Sequence, residues 1–305
     1  MTFSSSDKLI PGFRGAVETW ECDQMKHMNV QFYSSKASIS FSHLLNALGL
    51  PPSRIRQDRK SLTYRDLRIQ YKAEMLGGEL MYGVSGIRSA GPDGIHGFTH
   101  LFKAIDDTLS SISEFNLRYA DLDTGEEHPI PVDVLEKAKS LADEHEDLYC
   151  PAPMKTLILP ATPMDHMFET SRTAVNVWEC DQYNNMEIRH IIGRFSDAAS
   201  HIVSSVGITR AIQHERNLGS AALDYYVEFN KPIKMANAII LKSGLLDRKP
   251  KNFVFGHHMI NCDTGDILNS TTVLGCYFDM TARKSVPLPE EYVAIPEEQL
   301  LRSQM

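Results

Sequence analysis

The sequence predicts an α+β fold made of two tandem copies of one unit, a long helix wrapped by a curved antiparallel sheet. Three features predict it. Residues 14–49 lie over residues 172–207 without a gap. Each copy runs in the order strand, polar turn, long helix and four strands, and the strands are separated by turns too short for parallel crossovers.

The duplication is explicit. Thirteen of those 36 positions are identical, and the block Trp20-Glu21-Cys22-Asp23-Gln24 falls on Trp178-Glu179-Cys180-Asp181-Gln182. The register persists further: Ser85 and Gly86 fall on Ser243 and Gly244, His100 on His258, Tyr119 on Tyr277, and Pro129 and Pro131 on Pro287 and Pro289. A match that survives loops of this length implies two equal structural units.

In the first copy, Ala16–Trp20 is a β-rich stretch that enters a polar turn from Asp23 to Asn29. A helix is predicted from Val30 to Leu48, because Tyr33, Ala37, Phe41, Leu44, Leu45 and Leu48 recur at three and four residues. Gly49 and the Pro51-Pro52 pair stop it. Ile191, Phe195, Ala199, Ile202, Val203 and Val206 repeat the stripe in the second copy. Leu67–Met75, Glu79–Ser89, Ile95–Ile105 and Leu109–Leu122 are predicted strands, divided by Gly-Gly, Gly-Pro-Asp-Gly and Asp-Asp turns. The predicted organisation is an N-terminal unit 1–131, a connection 132–163 and a C-terminal unit 164–305. The connection begins as a solvated helix and continues as an extended, proline-rich segment, and the tail Glu290–Met305 takes that helix's place after the second unit.

At 305 residues the chain has room for two domains, and 42% hydrophobic with 23% charged residues is a globular composition. A net charge of −8 argues against nucleic acid or an anionic membrane as partner. It leaves room for a small anionic ligand on a local basic patch. No apolar run approaches the roughly 20 residues of a membrane span, and the N-terminal stretch lacks a signal-peptide core. The five cysteines, Cys22, Cys150, Cys180, Cys262 and Cys276, show no Cys-x-x-Cys pairing and fit a reducing, cytoplasmic setting.

The element order resembles the hotdog fold, and the polar turn sharpens the resemblance. Asp23, His27, Asn29 and Tyr33 stand at the spacing of the Asp-x-x-Gly-His-x-Asn-x-x-x-Tyr signature of the hydroxybenzoyl-CoA thioesterase branch of that superfamily, with Lys26 in place of its glycine. The second copy keeps Asp181 and has Asn185, Glu187 and Ile191 at the other three positions. The resemblance implies two hotdog units forming an intramolecular pseudo-dimer, with acyl-CoA thioesterase activity. Coenzyme A then enters as part of the substrate, and no cofactor and no metal is required. It also implies sites formed across the interface of such dimers, so that Asn185 and Glu187 would complete a site around Asp23. Further association of pseudo-dimers into a homo-oligomer is common in that superfamily.

Thioester hydrolysis needs a polarised carbonyl and a carboxylate that activates water or attacks directly. A helix N-terminus offers unpaired N–H groups and a favourable dipole, so Asp23 and Asp181, each before a helix, are candidate catalytic residues; a helix cap or solvated turn is their alternative. His27 either orients Asp23, substrate or water, or is a packing residue. Asn29 either caps the helix or touches substrate. Tyr33 lies on the apolar stripe, which favours core packing with a satisfied hydroxyl over substrate contact. Arg54, Arg56, Arg59 and Lys60 form a basic cluster, either a solvated loop or a landing site for the phosphates of coenzyme A. Its counterpart around Arg210 and Arg216 is weaker. Cys22 and Cys180 are expected to point inward from a strand, Trp20 and Trp178 to lie in the core or an interface, and His100, His257 and His258 to be structural.

Three functions fit: an acyl-CoA thioesterase, a hotdog hydratase or dehydratase on 3-hydroxyacyl thioesters, and a non-enzymatic acyl-CoA-binding protein. The asparagine two residues after His27 counts for the first.

Overall fold

The protein, described by a computed structural model over residues 8–23, 25–143, 148–152 and 158–305, divides into two compact units, Met1–Lys155 and Thr156–Met305. One copy of the duplication lies in each.

In the first unit β1 (Ile10–Ala16) leads through a 3-10 turn, Thr19–Glu21, into the central helix α1 (Val30–Ala47). A short helix α2 (Pro52–Asp58) precedes four strands: β2 (Lys60–Tyr71), β3 (Leu80–Gly91), β4 (Gly94–Lys103) and β5 (Leu109–Asp121). Helix α3 (Val132–Leu141) follows. The sheet order is β1-β3-β4-β5-β2, with every neighbouring pair antiparallel. The helix buries Tyr33, Ala37, Phe41 and Leu44, and the Phe41 ring lies 4.8 Å from Tyr64 and 5.4 Å from Phe115.

The second unit repeats the plan. Its elements are β6 (Phe168–Ala174), the 3-10 turn Val177–Glu179, the central helix α4 (Ile188–Ser205) and α5 (Arg210–Glu215). The strands β7 (Leu218–Phe229), β8 (Ala238–Arg248), β9 (Asn252–Asn261) and β10 (Ile267–Asp279) form a sheet of order β6-β8-β9-β10-β7. A two-residue β11 (Lys284–Ser285) joins β10, and α6 (Glu290–Val293) follows.

In β3, β4, β5, β9 and β10 runs of consecutive residues are buried, so both faces of each sheet are covered there. In the first unit Leu148 packs on Tyr82, Val84 and Phe102, and Arg88 and Arg68 donate to the carbonyls of Tyr149 and Ala152. In the second, Leu159, Met164, Met167 and Leu301 cover Leu246 and Val254.

Four expectations change. The first strand ends at Ala16 instead of running through Trp20, because Glu21 captures the Glu18 N–H at 2.9 Å and closes a turn there. The basic stretch after α1 is the helix α2, and β2 begins early, at Lys60. Strands β2 and β3, although joined by a Gly-Gly turn, pair with β5 and β1 instead of with each other. The division between residues 155 and 156 is not one of these changes and falls within the predicted connection. Its helix α3 is not wholly solvated: Val134 and Ala138 are buried, Ala142 bridges Ile87, and the helix stops at Leu141. Residues 144–147 and 153–157 of that connection lie outside the described residues. Among the described residues no helix is long and apolar enough to cross a membrane.

Candidate active site

Local backbone hydrogen bonds position each side chain of the first unit's polar turn. The Asp23 N–H donates to the His27 carbonyl (2.9 Å), and the Asp23 carbonyl accepts from the Lys26 N–H (3.0 Å). Asp23 Oδ1 accepts from the Met25 N–H at 2.8 Å. Lys26 closes the turn at φ +68°, in the left-handed region where glycine is at ease. The lysine therefore keeps the turn and adds strain. Asn184 holds the same conformation at φ +65° in the second unit.

The turn sets His27 between two carboxylates. Its Nδ1 lies 3.6 Å from Asp23 Oδ2, and its Nε2 lies 3.8 Å from Glu74 Oε1. Both separations exceed a hydrogen bond, and His27 Nε2 is buried with no hydrogen-bond partner among the described residues. An imidazole so placed can take up or release a proton with a carboxylate on either side. Asn29 caps α1, its Oδ1 accepting from the Gln31 N–H at 3.1 Å, which starts the helix two residues from His27.

Tyr33 is buried in the cluster of Val17, Met28 and Met75. Its hydroxyl accepts from the Met75 N–H (3.1 Å) and donates to the Ala73 carbonyl (3.3 Å). Those two residues flank Glu74, so Tyr33 clamps the segment that presents the second carboxylate to His27. Burial pushes the Tyr33 phenol up to about 12, and it stays protonated.

The second unit builds the same turn with different chemistry. Asp181 Oδ1 accepts from the Tyr183 and Asn185 N–H groups at 2.8 and 2.9 Å. Asn185 replaces the imidazole. Glu187 sits at the N-cap of α4 without a side-chain cap bond, and its carboxylate lies 3.8 Å from Arg189 Nε.

Within the first unit the fold brings together Asp23, His27, Asn29 and Tyr33, and it adds Glu74. It does not bring the basic cluster to them. Helix α1 has 18 residues, so Arg54, Arg56, Arg59 and Lys60 begin about 27 Å of helix away from its N-terminus. Arg54 donates to Asp133 (2.6 Å) and Arg59 pairs with Asp123 (2.5 Å), so both serve the fold. Arg56 is exposed and Lys60 half-buried. In the second unit Arg216 pairs with Glu291 at 2.9 Å.

Two residues of consequence escaped the apolar pattern. Glu21 and Lys36 form a buried ion pair at 2.5 Å, repeated by Glu179 and Arg194 at 2.5 Å. The signal was in the duplication, where an acid and a base recur at the same two positions in both copies. Cys22 and Cys180 are half-buried, and burial together with Asp23 and Glu21 raises the Cys22 thiol, while burial together with Asp181 raises that of Cys180. Trp20 and Trp178 are exposed, 67% and 71%, and are not core residues. His257 and His258 are fully enclosed in the second unit. Among the described residues no group of three or more His, Cys, Asp or Glu is placed to hold a metal ion.

The family model described as "Thioesterase-like superfamily" matches residues 17–138 and 175–295, one match per unit. The chain belongs to the thioesterase-like superfamily. The two matches coincide with the two hotdog units and include both polar turns. A search of the curated proteins finds no match. Among solved structures, a provisionally named oleoyl thioesterase from Lactobacillus plantarum superposes with a TM-score of 0.68 at 11% identity, over 88% of this chain and 96% of that one. An acyl-ACP thioesterase from Bacteroides thetaiotaomicron gives 0.66 at 9%, over 90% and 100%. The 12:0-ACP thioesterase from Umbellularia californica gives 0.66 at 8%, over 89% and 95%. At such identities the likeness is one of fold: two tandem units in a chain of this length. Thioester hydrolysis is the chemistry that this superfamily membership carries.

Proposed function

We propose that the protein hydrolyses an acyl-CoA thioester to a carboxylate and free coenzyme A, with its principal site at Asp23. The observation that carries this reading is His27 placed between Asp23 and Glu74, beside the N-terminus of α1. The positive end of the α1 dipole polarises the thioester carbonyl. Asp23, acting as general base on water or as nucleophile, delivers the attack, and the tetrahedral intermediate collapses with loss of the CoA thiolate; in the nucleophilic route water then hydrolyses the acyl-Asp23 anhydride and releases the carboxylate. His27 is the group able to return a proton to that thiolate. At Asp181 the place of the imidazole is taken by Asn185, which cannot exchange a proton at neutral pH, and Asp181 Oδ1 is already held by two backbone amides.

The test is a thiol-release assay over short, branched, aromatic and charged acyl-CoAs, beside the same acyl groups on acyl carrier protein, the carrier named for two of the structural neighbours. A hydration assay with enoyl-CoA runs in parallel. Asp23→Asn is expected to lower kcat at least about a hundredfold, and Asp181→Asn to leave most of it. Unchanged hydrolysis in Asp23→Asn with loss in Asp181→Asn would reverse the assignment. Absence of thiol release from every acyl-CoA would sink it.

A further inference from the structure

The polar turn of the first unit carries two side chains that the hydrolytic chemistry does not use, Trp20 and Lys26, three residues to either side of Asp23. Trp20 sits in the 3-10 turn Thr19–Glu21 and is 67% exposed. Its indole meets the Phe32 ring of α1 at 5.3 Å between centroids and 90° between planes, so the ring is held while most of its surface stays in water. The turn leans on the loop after β2: a Cβ placed on Gly77 would lie 3.5 Å from Cys22 Sγ and 3.8 Å from the Thr19 Cα. Leu76, the residue before, bridges His27. One loop therefore supports both the turn that carries the indole and the imidazole of the site.

Lys26 is exposed, and its ammonium has no hydrogen bond or ion pair among the described residues. It is the only lysine or arginine between Arg14 and Lys36, and it holds a left-handed conformation, φ +68°, that glycine would adopt with less strain. No ion pair among the described residues offsets that strain, and a strained residue beside a catalytic turn points to a partner outside the chain. Lys36 is spent on Glu21 and Lys103 on Glu79. Asp23 and Glu74 repel an anion from the reacting centre itself, which leaves the exposed ammonium as the place on this turn where a phosphate gains a partner.

The second unit supplies the control. Its stretch 173–187 has no lysine or arginine, and Asn184 takes the left-handed position at φ +65°. Asn184 and Asn185 replace Lys26 and His27 together, so the cation goes with the imidazole. Trp178 is kept and exposed, but Met235 stands where the first unit has Gly77.

We propose that Trp20 and Lys26 form the landing site for the nucleotide end of coenzyme A: the indole stacks on the adenine and the ammonium pairs with a phosphate. The inference rests on the thioester reading and adds what recognises the carrier. Three residues of chain span at most about 10 Å, so both groups lie within reach of a CoA molecule whose thioester is at Asp23 and whose flexible pantetheine arm folds back along the turn. An exposed ring suits the part of a substrate that stays in water, and any base offers it a π-face. A carrier protein, which brings a phosphopantetheine arm and no adenine, has nothing to stack on Trp20.

The chain has two tryptophans, so the full-length Trp178→Phe protein reports on Trp20 alone. Titration with CoA or with adenosine 3′,5′-bisphosphate is expected to quench its fluorescence saturably, and pantetheine to leave it unchanged. In that background Lys26→Gln and Lys26→Gly are expected to weaken CoA binding at least about fivefold, while Lys26→Arg stays within about twofold. The Lys26→Gln protein should also lose most of the salt dependence of binding. In hydrolysis, the kcat/KM ratio of an acyl-CoA over the matching acyl-pantetheine should fall at least about fivefold in Trp20→Leu and in Lys26→Gln, a ratio that partial unfolding alone does not move. No quenching by CoA, or an affinity and ratio unchanged in these variants, overturns the inference. Quenching by the nucleotide with no thiol release from any acyl-CoA counts against the hydrolytic function and leaves the landing site standing. Thiol release with equal kcat/KM for acyl-CoA and acyl-pantetheine keeps the hydrolytic function and overturns the landing site.

Discussion

Lys36 Nζ stands 2.5 Å from Glu21 Oε1 with both side chains buried, and Arg194 stands at the same distance from Glu179 in the second unit. This pair anchors the turn that carries Asp23 to the second turn of α1. The other oxygen of Glu21 closes the 3-10 turn on Glu18, and the Glu21 carbonyl accepts from the Asn29 N–H at 2.9 Å. One residue thus sets both where the turn begins and where the helix starts.

Removing one partner strands a buried charge, which costs about 3–5 kcal/mol. Glu21→Ala and Lys36→Ala are expected to lose that much in denaturant unfolding. Lys36→Arg should stay within about 1 kcal/mol of the parent, because the equivalent site already holds an arginine. A small loss in Glu21→Ala would show that the pair is not anchoring the turn.

Lys26 pays for its left-handed conformation, φ +68°. Lys26→Gly is expected to keep the turn and raise stability by about 0.5–1 kcal/mol, the released strain being partly offset by glycine's greater unfolded-state entropy. The unfolding midpoint measures it, and a fall in stability would mean that the lysine side chain makes up for the strain elsewhere.

Tyr33→Phe deletes the partner of the buried Met75 N–H. About 1–3 kcal/mol of stability should go with it. Since the hydroxyl holds the Ala73–Met75 segment and so Glu74, kcat is expected to fall modestly while KM holds. A large rise in KM alone would instead place the hydroxyl on substrate.

His27→Gln is expected to lower kcat by about 10²–10⁴ with little change in stability, because the proton-transfer group is lost while a polar side chain of similar length remains. Glu74→Gln, one step further from the attack, should lower it less. Equal kcat in His27→Gln and the parent would remove His27 from the chemistry.

Acid lability should follow from two buried imidazoles. Burial depresses His257 to about 3 and His258 to about 4 in the folded chain, against an ordinary value of 6.5. Below 6.5 the unfolded chain binds protons that the folded chain refuses, so stability is full above that pH and is lost as the pH falls from about 6.5 towards 4. Unfolding free energies at pH 7.5 and 5.0 test this: replacing His258 by Gln should shrink the difference, and an unchanged difference would assign the lability to carboxylates.

The two-unit α+β architecture, the central helix and the position of the Asp23 turn are legible in the order of residues alone. Those features are written locally or by repetition: apolar spacing makes α1, Gly and Pro end it, and a gap-free duplication can only fold twice the same way. Which strands pair, the arrival of Glu74 beside His27, the burial of a lysine on α1 and the helix length between the basic cluster and Asp23 emerge on folding. Each of these depends on residues far apart in the chain, and neither spacing nor propensity records the three-dimensional meeting of charges. The copies diverge in the same way. Their turns look alike in sequence, but the pairing of Ser85 with Thr99 in the first and of Ser243 with His257 in the second exists only where strands lie side by side.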